Sequence, residues 1–143
     1  MKLQPYMYFD GNAEEAFQFY KAIFGGEILA NMKMIDIPER DKLSKKEQSR
    51  TLHIALRIAD NIVLMASDIL PSAGQITNSG SQTAIMIDPD SRTEADMFFN
   101  GLAKKGNVEL KMEDTIWGSY FGKLTDKFGI QWMINFIEPE GDH

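Results

Sequence analysis

The chain has 143 residues, 43% hydrophobic and 25% charged, the composition and length of one ordinary globular domain. It has no cysteine and two histidines, His53 and His143, which excludes disulfides, thiolate nucleophiles and a multi-histidine metal site within one chain. The net charge of −6 argues against nucleic acid or an anionic membrane surface as partner, and no apolar run approaches the ~18 residues of a spanning helix.

In chain order, residues 3–9 read as a strand ending at Asp10. Asn12 opens a helix with Glu15 at its third position, a capping-box pattern, and apolar residues at 13, 16, 17, 20, 23 and 24 make one helical stripe. Gly25-Gly26 stops it. Strands follow at 27–36, 51–59 and 62–66, the last two joined by a turn at Asp60-Asn61. Residues 37–50 carry eight charged residues from Glu39 to Arg50, with Leu43 the sizeable apolar group there, and read as a solvated loop; a lid is the alternative. Residues 69–80, rich in Ser, Gly and Pro, read as a linker.

The pattern then repeats. A strand at 82–87 ends at Asp88, and Ser91 opens a helix with Glu94 at its third position and apolar residues at 95, 98, 99, 102 and 103. Gly106-Asn107 stops it, and strands follow at 107–112, 118–125 and 130–136, with a turn at 126–129. The chain therefore reads β-α-β-β-β twice: module 1 over 1–68 and module 2 over 81–137 of a single domain, 1–143. Aligning Asp10 with Asp88 pairs Gln4 with Gln82.

Period-two alternation assigns faces. Met7 and Phe9 face the helix, which turns Gln4, Tyr6 and Tyr8 to the other side; His53, Ala55 and Arg57 oppose the apolar set Leu52, Ile54, Leu56 and Ile58. Gln82, Ala84 and Met86, and Gln131, Met133 and Asn135, take the same side in module 2. Ile28, Ala30, Met32 and Met34 alternate, as do Val108, Leu110 and Met112. A bulge inverts any such assignment. The turn aspartates Asp10, Asp60, Asp88 and Asp126, with Asp68, read as structural, and Arg57 and Lys123 as solvated strand ends that could also hold an anion.

Residues 8–16 (Tyr-Phe-Asp-Gly-Asn-Ala-Glu-Glu-Ala), His53-Ile54-Ala55-Leu56, Leu64-Met65-Ala66-Ser67-Asp68, Trp117-Gly118 and residues 125–135 resemble the PhnB-like branch of the vicinal oxygen chelate superfamily, which holds glyoxalase I, extradiol dioxygenases and bleomycin-resistance proteins. The resemblance implies an α+β fold of two βαβββ modules with curved half-barrel sheets, a ligand on the concave side and a homodimer. It places metal ligands on the first and fourth strand of each module, positions held here by Gln4, Met65, Gln82 and Met133. Two amides and two thioethers suit a hard divalent cation poorly, so no metal or other cofactor is expected. Members of this branch are sometimes labelled demethylubiquinone methyltransferases, but no strand here is followed by a Gly-x-Gly turn opening a helix.

The resulting expectation is a cytoplasmic protein that binds a small apolar or aromatic molecule, with Gln4, Tyr6, Tyr8, Met65, Gln82, Trp117 and Met133 as ligand-binding residues. The alternative is an enzyme of the same superfamily in which His53 is the catalytic acid–base or an unorthodox metal site operates. A hydrogen-bonded structural histidine is the plainer account of His53, and core packing that of Trp117.

Overall fold

The structure, a computed structural model, describes residues 1–78 and 80–139; His143 lies outside them. It divides into two compact units, Met1–Asn78 and Ser79–His143.

In the first unit the four strands β1 (Tyr6–Phe9), β2 (Glu27–Lys33), β3 (Thr51–Ala59) and β4 (Ile62–Asp68) form an open mixed sheet in the order β1-β4-β3-β2, with β1 parallel to β4. Helix α1 (Ala13–Phe24) buries Ala13, Ala16, Phe17 and Tyr20, the stripe expected from its spacing, against the sheet side made by Met7, Phe9, Ile54, Leu56, Leu64 and Ala66. Its N-terminus departs from the capping-box expectation. Asn12 makes no side-chain cap; the buried Asp68 carboxylate, arriving from the end of β4, accepts from Gly11 N and Ala13 N at 3.0 Å each and from Thr51 N at 2.8 Å. One carboxylate thus joins the starts of α1 and β3.

The 37–50 segment is largely solvated, as its charges suggest, with six of its eight charged residues exposed, but it is not an irregular loop. It holds a short 3₁₀ turn at Arg40–Lys42 and the one-turn helix α2 (Lys45–Gln48), while another 3₁₀ turn, at Met34–Asp36, replaces the end of the strand expected over 27–36. Two of its charged residues are buried because each finds partners: Glu47 accepts from Ser72 N at 3.2 Å, and Arg50 donates to Asp10 Oδ1 at 2.8 Å and to the Ile69 carbonyl at 3.0 Å.

In the second unit β5 (Ile85–Ile87), β6 (Asn107–Asp114), β7 (Ser119–Thr125) and β8 (Gln131–Ile137) repeat the topology, in the order β5-β8-β7-β6. Helix α3 (Arg92–Ala103) buries Ala95, Phe99 and Leu102. Here half of the expected box forms, Ser91 Oγ accepting from Glu94 N at 3.0 Å, while the Glu94 carboxylate accepts from Asp90 N at 3.3 Å instead of from Ser91 N. Buried Asp126 binds Phe128 N, Ile130 N and Trp132 Nε1, closing the β7–β8 turn over the largest side chain of this core. Arg92 pairs bidentately with Asp114 and sits 4.0 Å over the Tyr120 ring, and the Tyr120 hydroxyl donates to Asp96 at 2.6 Å.

Two features recur in both units. Strand β2 bulges between Ile28 and Ala30, and β6 between Val108 and Leu110. The bulges split the sets expected to alternate: Ile28 and Val108 oppose the helix-side residues Leu56 and Leu124, whereas Ala30 and Leu110 oppose Ala55 and Lys123 on the other face. Further shifts follow Met32 and Leu110. Gly26 and Gly106 also correspond. A Cβ on Gly26 falls 2.2 Å from the Arg57 carbonyl oxygen, and one on Gly106 falls 2.4 Å from that of Thr125, so both lead the second strand tightly past the end of the third.

Candidate functional site

Each sheet has one face without a helix, and the candidate residues fall on these two faces. In the first unit, pairing sets Tyr6 beside Met65, Met65 beside Ala55 and Ala55 beside Ala30, a row that crosses all four strands. The neighbouring row holds Tyr8 beside Ser67, and His53 beside Met32. Tyr6 Oη lies 3.1 Å from His53 Nδ1, with the two rings stacked at 5.8 Å and 27°. Tyr8 tilts against Tyr6 at 5.3 Å and 45°. Tyr8 remains 61% exposed, and Met32 49%. The two alanines make a low floor, flanked by aromatic faces and thioethers. That surface suits a flat apolar molecule, with imidazole and hydroxyls as its polar contacts. When the Tyr6 hydroxyl donates to Nδ1, the other imidazole nitrogen, Nε2, carries the proton.

In the second unit the corresponding row is Met86, Met133, Lys123 and Leu110. Since Tyr6 and Met86 both oppose the methionine of the fourth strand, they are the true equivalents. Gln4 then corresponds to Ala84, not to Gln82. Both glutamines precede the strands in which they were expected and are exposed: β1 starts at Tyr6 and β5 at Ile85. Trp117 is 71% exposed in the β6–β7 turn beside Ile116, not packed in a core.

Arg57 pairs with Glu27 at 3.0 Å and is exposed near its strand end, as expected. Lys123 differs. It stands inside the row, with its ammonium 3.2 Å from Glu109 Oε2. The Thr125 hydroxyl donates to Glu109 at 2.8 Å, and this bond, followed by that from Lys123, holds the Glu109 carboxyl below its ordinary range. Sequence reasoning missed Glu109 and Met32. Their only signal lay in registers that the bulges obscure.

The positions implied for metal ligands now read as two exposed amides outside the strands and two thioethers, Met65 and Met133. Among the described residues no three His, Asp or Glu side chains converge. This donor set does not fit a hard divalent cation. No described helix is long and apolar enough to cross a membrane.

A family model described as 3-demethylubiquinone-9 3-methyltransferase matches residues 1–135. Protein YjdN of Escherichia coli (strain K12) is 32% identical over 148 residues, covering 98% of each chain. Protein PA1353 from Pseudomonas aeruginosa has the same fold with a TM-score of 0.86 at 32% identity, over 97% of this chain and 99% of that one. The PhnB protein from Bacillus cereus matches with a TM-score of 0.74 at 21% identity, over 95% and 99%. Solved proteins of the glyoxalase/bleomycin resistance/dioxygenase group share the fold at lower identity. Two open βαβββ modules, a family match over nearly the whole chain and a relative one-third identical agree: the chain belongs to the PhnB-like branch of the vicinal oxygen chelate superfamily.

Proposed function

We propose that this protein binds a small apolar or aromatic molecule, without a metal ion, against the helix-free face of its first sheet. The observation that carries the reading is the exposed cluster of Tyr6, Tyr8 and His53 beside Met65 and Met32. Exposed aromatic and thioether groups of this density gain by covering one another with an apolar ligand. Residence in the cytoplasm and assembly as a homodimer belong to the same reading. The residues give no support to methyl transfer, the activity in the family model's description. The turn entering α1 is Asp10-Gly11-Asn12, and the N–H groups of Gly11 and Ala13 are already taken by Asp68.

The test is a fluorescence titration with 2-naphthol. The wild type is expected to bind. Tyr8→Ala and Met65→Ala should each weaken binding about tenfold, on the order of the 1.4 kcal/mol by which such contacts differ. Binding indifferent to both substitutions overturns the site. Elemental analysis of the purified protein should find no stoichiometric divalent metal; zinc, nickel, manganese or iron at one per chain overturns the metal-free part.

A second reading draws on one observation, the Tyr6–His53 hydrogen bond, which fixes the imidazole as an acid–base needs. His53→Ala separates the two. A modest change in naphthol affinity agrees with binding alone. A co-purifying compound that the wild type converts and His53→Ala leaves intact establishes an enzyme.

A further inference from the structure

The second module carries a charged pair that the first module lacks. The Lys123 position corresponds to Ala55, since each stands beside the fourth-strand methionine, Met133 or Met65. Where the first sheet has a floor of alanine, the second raises an ammonium. That ammonium sits in an apolar row, between Met133 on β8 and Leu110 on β6, with Met86 beyond. Glu109 is the bulge residue of β6, and it reaches Lys123 at 3.2 Å while the Thr125 hydroxyl holds its other oxygen at 2.8 Å. The side chains of Lys123 and Glu109 are about one-third exposed, 32% and 31%, so the pair is sheltered yet reachable. Glu109 engages the ammonium, and among the described residues no other acceptor takes its remaining protons.

Such a pair is a fixed dipole with apolar ground on both sides. A lone anion approaching Lys123 meets the Glu109 charge beside it, and a lone cation approaching Glu109 meets Lys123. Like charges at this separation disfavour either one. A ligand bearing both charges, set in reverse, satisfies both groups: its carboxylate takes the spare Lys123 donors and its ammonium meets Glu109. We propose that the helix-free face of the second sheet is a subsite for a small zwitterion with an apolar side chain, of the α-amino acid type. Its charged end lies on Lys123 and Glu109, and its apolar end on Met133, Leu110 and Met86. The groups that carry this reading all lie in the second unit.

The experiment is an NMR titration of the full chain, following backbone amides, with three probes of similar length: norleucine, hexanoate and hexylamine. Norleucine is expected to bind at least tenfold more tightly than either monovalent probe, with its largest shifts at residues 109–110, 123 and 133. In Lys123→Met the preference for norleucine over hexylamine should vanish, and in Glu109→Gln hexanoate should bind as well as norleucine. Both variants keep the volume of the row, and unchanged amide dispersion checks that they fold. Equal binding of the three probes to the wild type, or norleucine shifts confined to the first unit, overturns the subsite. Loss of naphthol binding in Tyr8→Ala leaves this outcome untouched, so the two sites fail separately.

Discussion

A glycine's missing Cβ decides a backbone path at two places in this chain. Gly26 and Gly106 both sit where a methyl group would lie within 2.4 Å of a carbonyl oxygen on the third strand. Gly26 has in addition a φ of 95°. Gly106 is the cleaner case, because close approach alone demands glycine there. Gly106→Ala and Gly26→Ala should each destabilise by roughly 1–3 kcal/mol, the usual cost of forcing extra volume into packed backbone. Gly74→Ala is the control: φ is 79° but nothing lies within 4 Å, so about 1 kcal/mol of left-handed strain is expected. Urea unfolding of the three variants decides the point, and a Gly106→Ala midpoint equal to wild type would show that the second strand has slack. These glycines were legible as helix stops but not as contact points, because the oxygens they approach lie far along the chain. The same holds for Asp68. Nothing near residue 68 announces that its carboxylate will cap a helix that begins at Ala13.

At the scale of elements, the two long helices were read correctly because their burial depends on local spacing: Ala13, Ala16, Phe17 and Tyr20 on α1, and Ala95, Phe99 and Leu102 on α3. Strands were read less well. Leu29 and Glu109 are chemically unlike, yet both sit at the bulge, so no residue type marks it. The 37–50 segment misled only in part, and for a different reason. Its charges suggest solvent, and six of the eight are exposed, but Glu47 and Arg50 are buried against backbone of residues 69–72. Hydrogen bonding from Ser72, its side chain first, lowers the pKa of Glu47 below the usual 4.5. A carboxylate with a lowered folded-state pKa contributes stability that is complete above its unfolded pKa and is lost as pH falls through the folded value. Glu47→Gln should therefore be less stable than wild type at pH 7, and the gap should close on acidification below about pH 4. Urea midpoints at neutral and acid pH measure it. A gap that is constant with pH places the stabilisation in packing rather than in the charge.

The whole molecule is one topology used twice with different chemistry on its two helix-free faces. The duplication supplies its own controls. Through the shared register, His53 beside Met32 in the first unit corresponds to Phe121 beside Glu113 in the second. Position 53 thus sits in a βαβββ frame that already tolerates a phenyl ring at the equivalent place, so His53→Phe should fold with a stability change below about 1 kcal/mol, as an exposed-face aromatic exchange does. What it removes is polar: the bond to the Tyr6 hydroxyl and the second ring nitrogen. A stacking site should then keep its grip on an aromatic ring while losing its preference for one that carries a hydroxyl. The comparison is 2-naphthol against 2-methoxynaphthalene, titrated into wild type and His53→Phe. The wild type should favour the hydroxyl compound, and the variant should bind the two within a factor of about two. If His53→Phe keeps the wild-type preference, the imidazole faces no ligand, and its bond to Tyr6 serves the sheet alone.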